Sequence, residues 1–353
     1  MDRIKDFFLD LSDRIRDLDL DAVKNFFNNL NLGKLLRKIN LHVIVLGLIL
    51  IIAVTIGVRL HSWNTNTKEL DDIEDTGKFD RETLDNLVPY TYDAEAKDPE
   101  DMVIACFGNA PFADNMGKED NLANIIAEKT NATVYNFGFP NSYLSCKTNS
   151  SITTANDDLF SLYWLTTVFA LDNDIIVDNY LNDAPDTPLQ TKATLSLLQN
   201  LDFNTVDVIA IMYDGSDYLD GRGMYNSGDS TNIQHFGGAL EASIDLIHQT
   251  FPHIQVIVMS PPYAYALNAD GTYADSTITT FGEGPLASYV QYESNVCYKM
   301  FASFVDTFYG SLSELDSDQV LVDNIHLSSE GRQRAAEEFM EAYNYYLKFR
   351  NAE

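Results

Sequence analysis

Apolar and polar residues alternate differently in three parts of the chain, and each pattern predicts a different kind of structure. Within residues 1–40, apolar side chains recur at alternating steps of four and three with charged residues between them: Ile4, Phe8, Leu11, Ile15 and Leu18. This spacing predicts a cytoplasmic amphipathic helical segment. Fewer than three heptads keep the register, so self-association through residues 1–31 and attachment to a membrane surface both stay open.

The second pattern is an unbroken apolar run, LHVIVLGLILIIAVTIGV, at residues 41–58. Its length approaches the ~20 residues that a helix needs to cross a bilayer. Because some forty residues precede it, we expect a retained transmembrane signal anchor over 41–59 rather than a cleaved signal peptide. Lys34, Arg37 and Lys38 crowd its N-terminal side, which favours a single-pass protein of the cell membrane with a cytoplasmic N-terminus and an extracytoplasmic C-terminal domain.

The third pattern begins after a polar, acidic stretch at 60–100, which we interpret as a linker or stalk. In the domain at 101–353, short apolar runs predict strands near 102–108, 132–138, 206–212 and 254–260. Helical spacing predicts helices near 121–130, 159–171, 189–201, 239–251, 286–304 and 330–349. Strands separated by helices indicate an α/β fold with a parallel sheet and helices on both faces. In such sheets ligands bind at the carboxyl ends of the strands.

Composition removes several classes of function. The formal charge of −30, from 53 acidic and 23 basic residues, argues against a nucleic-acid partner, because such proteins cluster Lys and Arg to neutralise phosphates. Cys106, Cys146 and Cys297 lack the spacing of a zinc or redox site, so we expect buried free thiols. The sequence also shows no metal-ligand or cofactor-binding motif, and neither a metal nor a cofactor is predicted.

Chemistry-bearing residues follow the predicted strand ends in four stretches: FGNAPFADNMGKEDNLANIIAEK from Phe107, YNFGFPNS from Tyr135, YDGSDYL from Tyr213 and DNIHLSSEG from Asp323. Their order and positions resemble the four conserved blocks of the SGNH (GDSL-like) hydrolase superfamily over roughly 102–349. The resemblance implies a three-layer sandwich around a five-stranded parallel sheet, similar to flavodoxin. The family contains esterases, lipases and carbohydrate O-acyl hydrolases or transferases.

The resemblance also implies a catalytic arrangement, of which this chain keeps only a part. In the family a serine attacks the ester, a His–Asp pair takes its proton, and three donors stabilise the oxyanion. Asp323 and His326 match the His–Asp pair. The three oxyanion-hole positions fall on Ala110, Gly138 and Ser216, where the family has a serine, a glycine and an asparagine.

Two of these substitutions remove parts that the reaction needs. Ala110 stands at the nucleophile position, and loss of a triad nucleophile lowers turnover about a million-fold. Ser216 replaces an amide donor whose loss alone costs roughly a hundred- to a thousand-fold. Asn109 and Asp214 replace an aspartate and a glycine, and with Asp217 we expect them to line the cleft. A carboxylate at Asp214 would repel a developing oxyanion.

The sequence therefore favours a catalytically degenerate esterase that binds an acylated glycan, a lipid or a partner protein without turnover. An alternative is an active esterase, O-acyl hydrolase or acyltransferase on cell-envelope esters, using Ser142, Ser145 or a water activated by His326. A second alternative is a scaffold assembled through the N-terminal helix. The literal SGDS at 227–230 follows no apolar strand and reads as a loop. Asp323 and His326 could also simply cap the next helix and brace its loop.

Overall fold

A central parallel sheet organises the computed structural model, which describes residues 83–90, 96–148, 158–268 and 272–352. The sheet has five strands in the order β2-β1-β3-β4-β7, and β5 and β6 form a separate antiparallel pair. The strands in chain order are β1 Val103–Gly108, β2 Thr133–Gly138, β3 Val208–Met212, β4 Gln255–Met259, β5 Tyr265–Leu267, β6 Tyr273–Asp275 and β7 Ser303–Val305.

Helices connect the parallel strands, as the alternating pattern predicts. Their bounds are α1 Ala110–Ala113, α2 Leu122–Thr130, α3 Leu162–Ala170, α4 Asp174–Asp183, α5 Leu189–Asn200, α6 Ser216–Leu219, α7 Phe236–Thr250, α8 Leu286–Lys299, α9 Ser317–Val320 and α10 Ser329–Arg350. Short 3-10 helices occupy Pro99–Asp101, Phe203–Thr205 and Glu314–Asp316. Helix α2 packs against α10, whereas α3 packs against α7 and α7 against α8.

Strands β3 and β4 lie inside the sheet, and every one of their residues is buried. Continuous apolar sequence such as VIAIM is typical of a parallel strand covered on both sides. Helix α10 presents small and aromatic residues at helical spacing to the core: Ala335, Ala336, Phe339, Ala342, Tyr343 and Tyr346. The predicted α/β fold with a parallel five-stranded sheet is confirmed, together with the positions of its first four strands.

The fifth strand of the parallel sheet, β7, shows that the sequence prediction was wrong here, because the predicted helix continued through Phe304. Helix α8 ends at Lys299. Phe301 then adopts a left-handed conformation with φ of 57°, which turns the chain back toward the sheet. The strand that follows has only three residues, paired in register from Ile257↔Ser303. A run this short cannot be distinguished from the end of a helix by periodicity.

A second correction concerns the predicted linker, because residues 83–90 belong to the folded domain. Asn86 pairs antiparallel with Phe304, with N–H···O distances of 3.0 and 2.8 Å. Side chains satisfy other backbone donors of this segment: the Leu84 N–H lies 2.8 Å from Asp306 Oδ2, and the Tyr90 N–H lies 2.6 Å from the Gln255 side chain. Leu84 and Leu87 also pack against the core, but two apolar residues are too few to form a hydrophobic pattern that a sequence would reveal.

Other predictions fall largely outside the described part of the chain. These are the cytoplasmic helical segment 1–40, the transmembrane anchor 41–59 and most of the linker. None of the helices within the described ranges has the length and apolar character required to cross a bilayer. The three cysteines are free and buried, as predicted.

Candidate functional site

The candidate site lies at the carboxyl ends of β1 and β3. Here the chain changes from adding strands on one side of β1 to adding them on the other side. Strand β1 has β2 on one side and β3 on the other, and the ends of β1 and β3 are paired at Gly108↔Met212. A crevice outside the carboxyl ends of two such strands is the usual ligand site of a parallel sheet. Asn109 and Ala110 follow β1 directly, and Asp214 and Ser216 follow β3. The structure thus brings these four predicted residues to one place.

Ala110 is the first residue of α1 and is 5 % exposed. Its methyl group offers neither a nucleophile nor a hydrogen-bond donor. Gly108, two residues earlier, is required by close packing, because a Cβ there would lie 1.9 Å from the Met212 carbonyl oxygen. Position 108 therefore has no room for a side chain, and the side chain at position 110 carries no reactive group.

Asn109 ties the ends of β1 and β3 together instead of lining an open cleft. Its Oδ1 accepts the Asp214 N–H at 2.8 Å, and its Nδ2 donates to Asp214 Oδ1 at 2.7 Å and to the Ser142 carbonyl at 3.0 Å. Asn109 is 1 % exposed and Asp214 is 3 % exposed. The prediction that these two side chains line the cleft is wrong, because both are turned inward to join three loops.

Burial raises the pKa of Asp214, although hydrogen bonds from Ser216 and Asn109 and the positive charge of His326 act in the opposite direction. The Ser216 N–H donates to Asp214 Oδ1 at 2.9 Å, and Ser216 itself begins α6. The position where the family has an amide donor is thus coupled to a carboxyl group. This arrangement does not favour a developing negative charge.

Gly138 does not offer the predicted oxyanion donor. Its N–H donates to the Asn136 side chain at 2.8 Å. A Cβ at Gly138 would lie 2.7 Å from the Ala113 nitrogen, so a glycine is needed for α1 to pack against the end of β2. Sequence analysis missed Asn141, which takes a left-handed φ of 57° in the turn that follows. An asparagine in a polar stretch after a strand is the signal that could have indicated this turn.

Asp217 and the two alternative serines brace the loop after β2. The Asp217 carboxylate accepts the Leu144 N–H at 2.8 Å and the Ser145 N–H at 3.0 Å, and it also binds the Ser145 hydroxyl. The Ser142 hydroxyl donates to the Phe139 carbonyl at 2.8 Å. Asp217, Ser142 and Ser145 are all buried. Asp217 therefore does not line the cleft as predicted, and each serine hydroxyl is committed to a partner other than His326.

Asp323 and His326 form the contact that the resemblance implies. His326 Nδ1 lies 2.7 Å from Asp323 Oδ2, and Asp323 Oδ1 accepts the Ile325 and His326 N–H groups at 2.9 and 2.8 Å. The side chains of His326 and Asp323 are 40 and 47 % exposed. The cap of α10 is Ser328, which accepts the Gly331 N–H at 3.0 Å. The pair therefore braces its own loop and does not cap the helix.

Carboxylates around His326 favour its charged form. Burial alone would lower the pKa of His326, but the hydrogen bond and charge of Asp323, with the charges of Asp114 and Asp214, raise it overall. For Asp323, burial is outweighed by its hydrogen bonds from His326 and Ile325, so its pKa is lowered. Asp114 directly follows α1 and was missed by sequence analysis. The contact with Asp323 therefore stabilises the protonated form of His326, which is the form that an imidazole takes after it accepts a proton.

A buried arginine holds the His326 loop against the segment after α1. Arg332 is 4 % exposed, and its Nη2 and Nε bind Asp120 Oδ2 and the Asp120 carbonyl, both at 2.6 Å. Its Nη1 donates to the Leu327 carbonyl at 2.5 Å. The loop that carries His326 is thus positioned by contacts independent of the His–Asp pair.

Comparison with known proteins gives structural matches and no sequence matches. No family model and no curated protein matches the chain. One solved chain is similar with a TM-score of 0.50 and 18% identity, covering 70% of this chain and 99% of its own. A carbohydrate acetylesterase from Sinorhizobium meliloti has a TM-score of 0.43 and 14% identity, covering 69% of this chain and 99% of its own. For a GDSL-like lipase from Parabacteroides merdae the values are 0.40 and 14%, with 72% and 99% covered.

These matches bear on the fold alone, since all three identities are low. The solved chain with the TM-score of 0.50 shares the α/β fold that this domain builds around its five-stranded parallel sheet.

Proposed function

We propose that this protein is a membrane-anchored, catalytically degenerate relative of the SGNH esterases that binds an acylated ligand outside the cytoplasm without hydrolysing it. The ligand would be an acylated glycan, a lipid or an acylated protein partner. The observation that carries the proposal is Ala110, two residues after the end of β1, at the position that the family resemblance assigns to the nucleophile. The anchor at 41–59 and the extracytoplasmic location come from the apolar run and the flanking basic residues.

The hydrogen bonds around Ala110 support the proposal further. Asn109 and Asp214 close the space between the ends of β1 and β3 with two mutual hydrogen bonds. The Gly138 N–H is already bound to Asn136. Replacement of one residue would therefore leave the oxyanion without its donors, which distinguishes this site from one that lacks only its nucleophile.

The test is ester hydrolysis by the full chain in detergent, with p-nitrophenyl acetate as the substrate. We expect a rate equal to that of the His326→Ala variant, which serves as the matched background. We also expect Ala110→Ser to stay at this background, because the Gly138 N–H would still be bound to Asn136 and Ser216 would still stand where the family has an amide donor.

Two outcomes would contradict the proposal. The first is hydrolysis by the unmodified protein that His326→Ala abolishes. The second is covalent labelling of the unmodified protein by a fluorophosphonate, which would reveal a displaced nucleophilic serine. If only Ala110→Ser were strongly active, the inactivity of the unmodified protein would be due to Ala110 alone. The oxyanion site would then be intact.

A further inference from the structure

The carboxyl group of Asp306, at the end of β7, attaches the segment 83–90 to the domain. Its Oδ2 accepts the Leu84 N–H at 2.8 Å, and its Oδ1 accepts the Tyr309 N–H at 3.0 Å. The Asp306 N–H donates in turn to Asp85 Oδ1 at 2.7 Å. The segment is therefore bound to the turn that follows β7 through two carboxyl groups.

A third carboxyl group, that of Glu338 on α10, holds the same turn. Its Oε1 accepts the Ser311 N–H at 2.5 Å. A Cβ at Gly310 would lie 2.5 Å from both Glu338 Oε1 and the Asp306 carbonyl oxygen, so the turn packs closely between these two residues. Glu338 Oε2 is buried and has no hydrogen-bond partner among the residues that the structure describes. A buried oxygen without a donor costs more free energy when it is charged, so this position favours the protonated acid.

The charges that act on Glu338 are negative. Burial raises the pKa of Glu338 to about 7, and the carboxylates of Asp85 and Asp306 act in the same direction, although hydrogen bonds from Ser311 oppose them. Burial likewise raises the pKa of Asp306. Arg334, one turn earlier on α10, forms its ion pairs with other carboxylates. Across the described ranges, no ion pair neutralises any of the three carboxyl groups.

The other titratable groups nearby keep one charge state around neutral pH. Glu293 on α8 is 1 % exposed, and burial raises its pKa well above the ordinary value, with the charge of Asp306 acting in the same direction. Glu293 therefore stays neutral. At the far end of the segment, His248 stacks on Tyr90, and burial lowers the pKa of His248 to about 4. Of these groups, Glu338 is the one that changes its charge near pH 7.

We propose that the segment 83–90 is a pH-sensitive strap, which docks on β7 when Glu338 is protonated and loosens when Glu338 is ionised. Release of the strap removes Asp85 from the cluster and lets water reach Glu338, which favours the charged form. The docked state holds the Glu338 proton more tightly than a solvated glutamate does. Docking is thus strongest below the ordinary pKa of 4.5 and weakens as the pH rises to about 7.

Loosening of the strap has a consequence at the edge of the sheet. Strand β7 is the last strand on its side, and the strap covers it through the pairing of Asn86 with Phe304. An uncovered edge can pair with an extended segment of another chain. The strap therefore makes access to this edge depend on pH, which is a property separate from the proposed ligand binding.

The experiment is hydrogen–deuterium exchange of the full chain in detergent, read by mass spectrometry at pH 5.5 and pH 8 with exchange times scaled for the intrinsic rate. We expect the protection of the strap to fall by about tenfold or more between the two pH values. Glu338→Gln should remove this fall, because the amide mimics the protonated acid. Glu341→Gln, an exposed glutamate on the same helix, is the matched control and should keep it.

Asp85→Asn provides a second variant, in which the side-chain oxygen can still accept the Asp306 N–H while one negative charge is removed. It should make the fall in protection smaller. Equal protection of the strap at both pH values in the unmodified protein would overturn the inference. So would an undiminished fall in Glu338→Gln, or a loss of protection at pH 8 that extends over the whole domain, since the strap would then not respond separately.

Discussion

The two sides of the candidate site differ in how deeply their polar side chains are buried. On the His326 side the contact with Asp323 is formed, and both side chains are more than a third exposed. On the Ala110 side the side chains of Asn109 and Asp214 are almost completely buried and bonded to each other. The His326 side contributes little to packing, whereas the Ala110 side is part of the core.

This difference explains why a substitution on the Ala110 side is expected to affect stability more than one on the His326 side. A buried polar group that loses its partner destabilises a protein by more than an exposed pair contributes. The Asn109–Asp214 contact now supports the fold, so any change that reopens the crevice also weakens the domain. The His326–Asp323 pair is free of this constraint and can persist with or without a function.

Asn109→Ala is the strongest test of the difference between the two sides. We expect the free energy of unfolding to fall by about 3 kcal/mol, because the Asp214 N–H and its carboxyl both lose a buried partner. Urea denaturation followed by circular dichroism measures the change. Asn200→Ala is the control, since Asn200 is exposed at the end of α5 and bonds only the Ser196 carbonyl. If both variants lose the same small amount, the Asn109 contact is not structural.

The next largest effect concerns the protonation of His326. We expect its pKa to lie above the ordinary 6.5. In Asp323→Asn the pKa should fall, because the hydrogen bond and the negative charge of Asp323 raise it the most. Titration of the imidazole resonances by NMR checks this. His248 is an internal control, because burial lowers its pKa to about 4 and Asp323 is not among the groups that shift it.

The sign of the accompanying change in stability follows from the two shifts. The raised pKa of His326 stabilises the fold below pH 6.5, and this contribution is lost as the pH rises through the folded-state value. The lowered pKa of Asp323 stabilises it above pH 3.8, with loss at more acidic pH. The pair thus contributes most between these values. A pair that stabilises the protein more strongly at pH 9 than at pH 5.5 would contradict this assignment.

The smallest effect is expected for His326→Ala. Because the pair is exposed, the free energy of unfolding should fall by less than about 1 kcal/mol, the range of surface ion pairs. Thermal or urea unfolding measures the difference. His248→Ala offers a comparison, since that ring stacks on Tyr90 at 4.2 Å and should cost more. A larger decrease in the free energy of unfolding for His326→Ala than for His248→Ala would show that the His326 side also supports the fold.

The fold was predictable from sequence where the signal was local and long enough. Strands β1 to β4 are apolar runs of five or six residues, and each was found. Strand β7 has three residues directly after a helix, and the segment 83–90 is held by side chains such as Asp306 and Gln255. Neither leaves a periodic pattern, because tertiary contacts and not local preference decide their conformation.

The contacts of the candidate site also differ in how far the sequence could predict them. Asp323 and His326 are three residues apart, so their contact could be anticipated. The bond from Asn109 to Asp214 joins residues 105 positions apart, and only the pairing of β1 with β3 brings them together. The Gly138 N–H donates to Asn136, two residues away, but one glycine at the end of a strand gives no indication of where its hydrogen bond goes.

The pairing of Asn86 with Phe304 has a practical consequence for any shortened form of this protein. A chain that began at residue 101, where composition suggests that the domain starts, would leave the outer edge of β7 bare and the Asp306 carboxylate without the Leu84 N–H. Bare strand edges join those of other molecules. Such a fragment is expected to aggregate, because the segment 83–90 covers this strand edge in the folded domain.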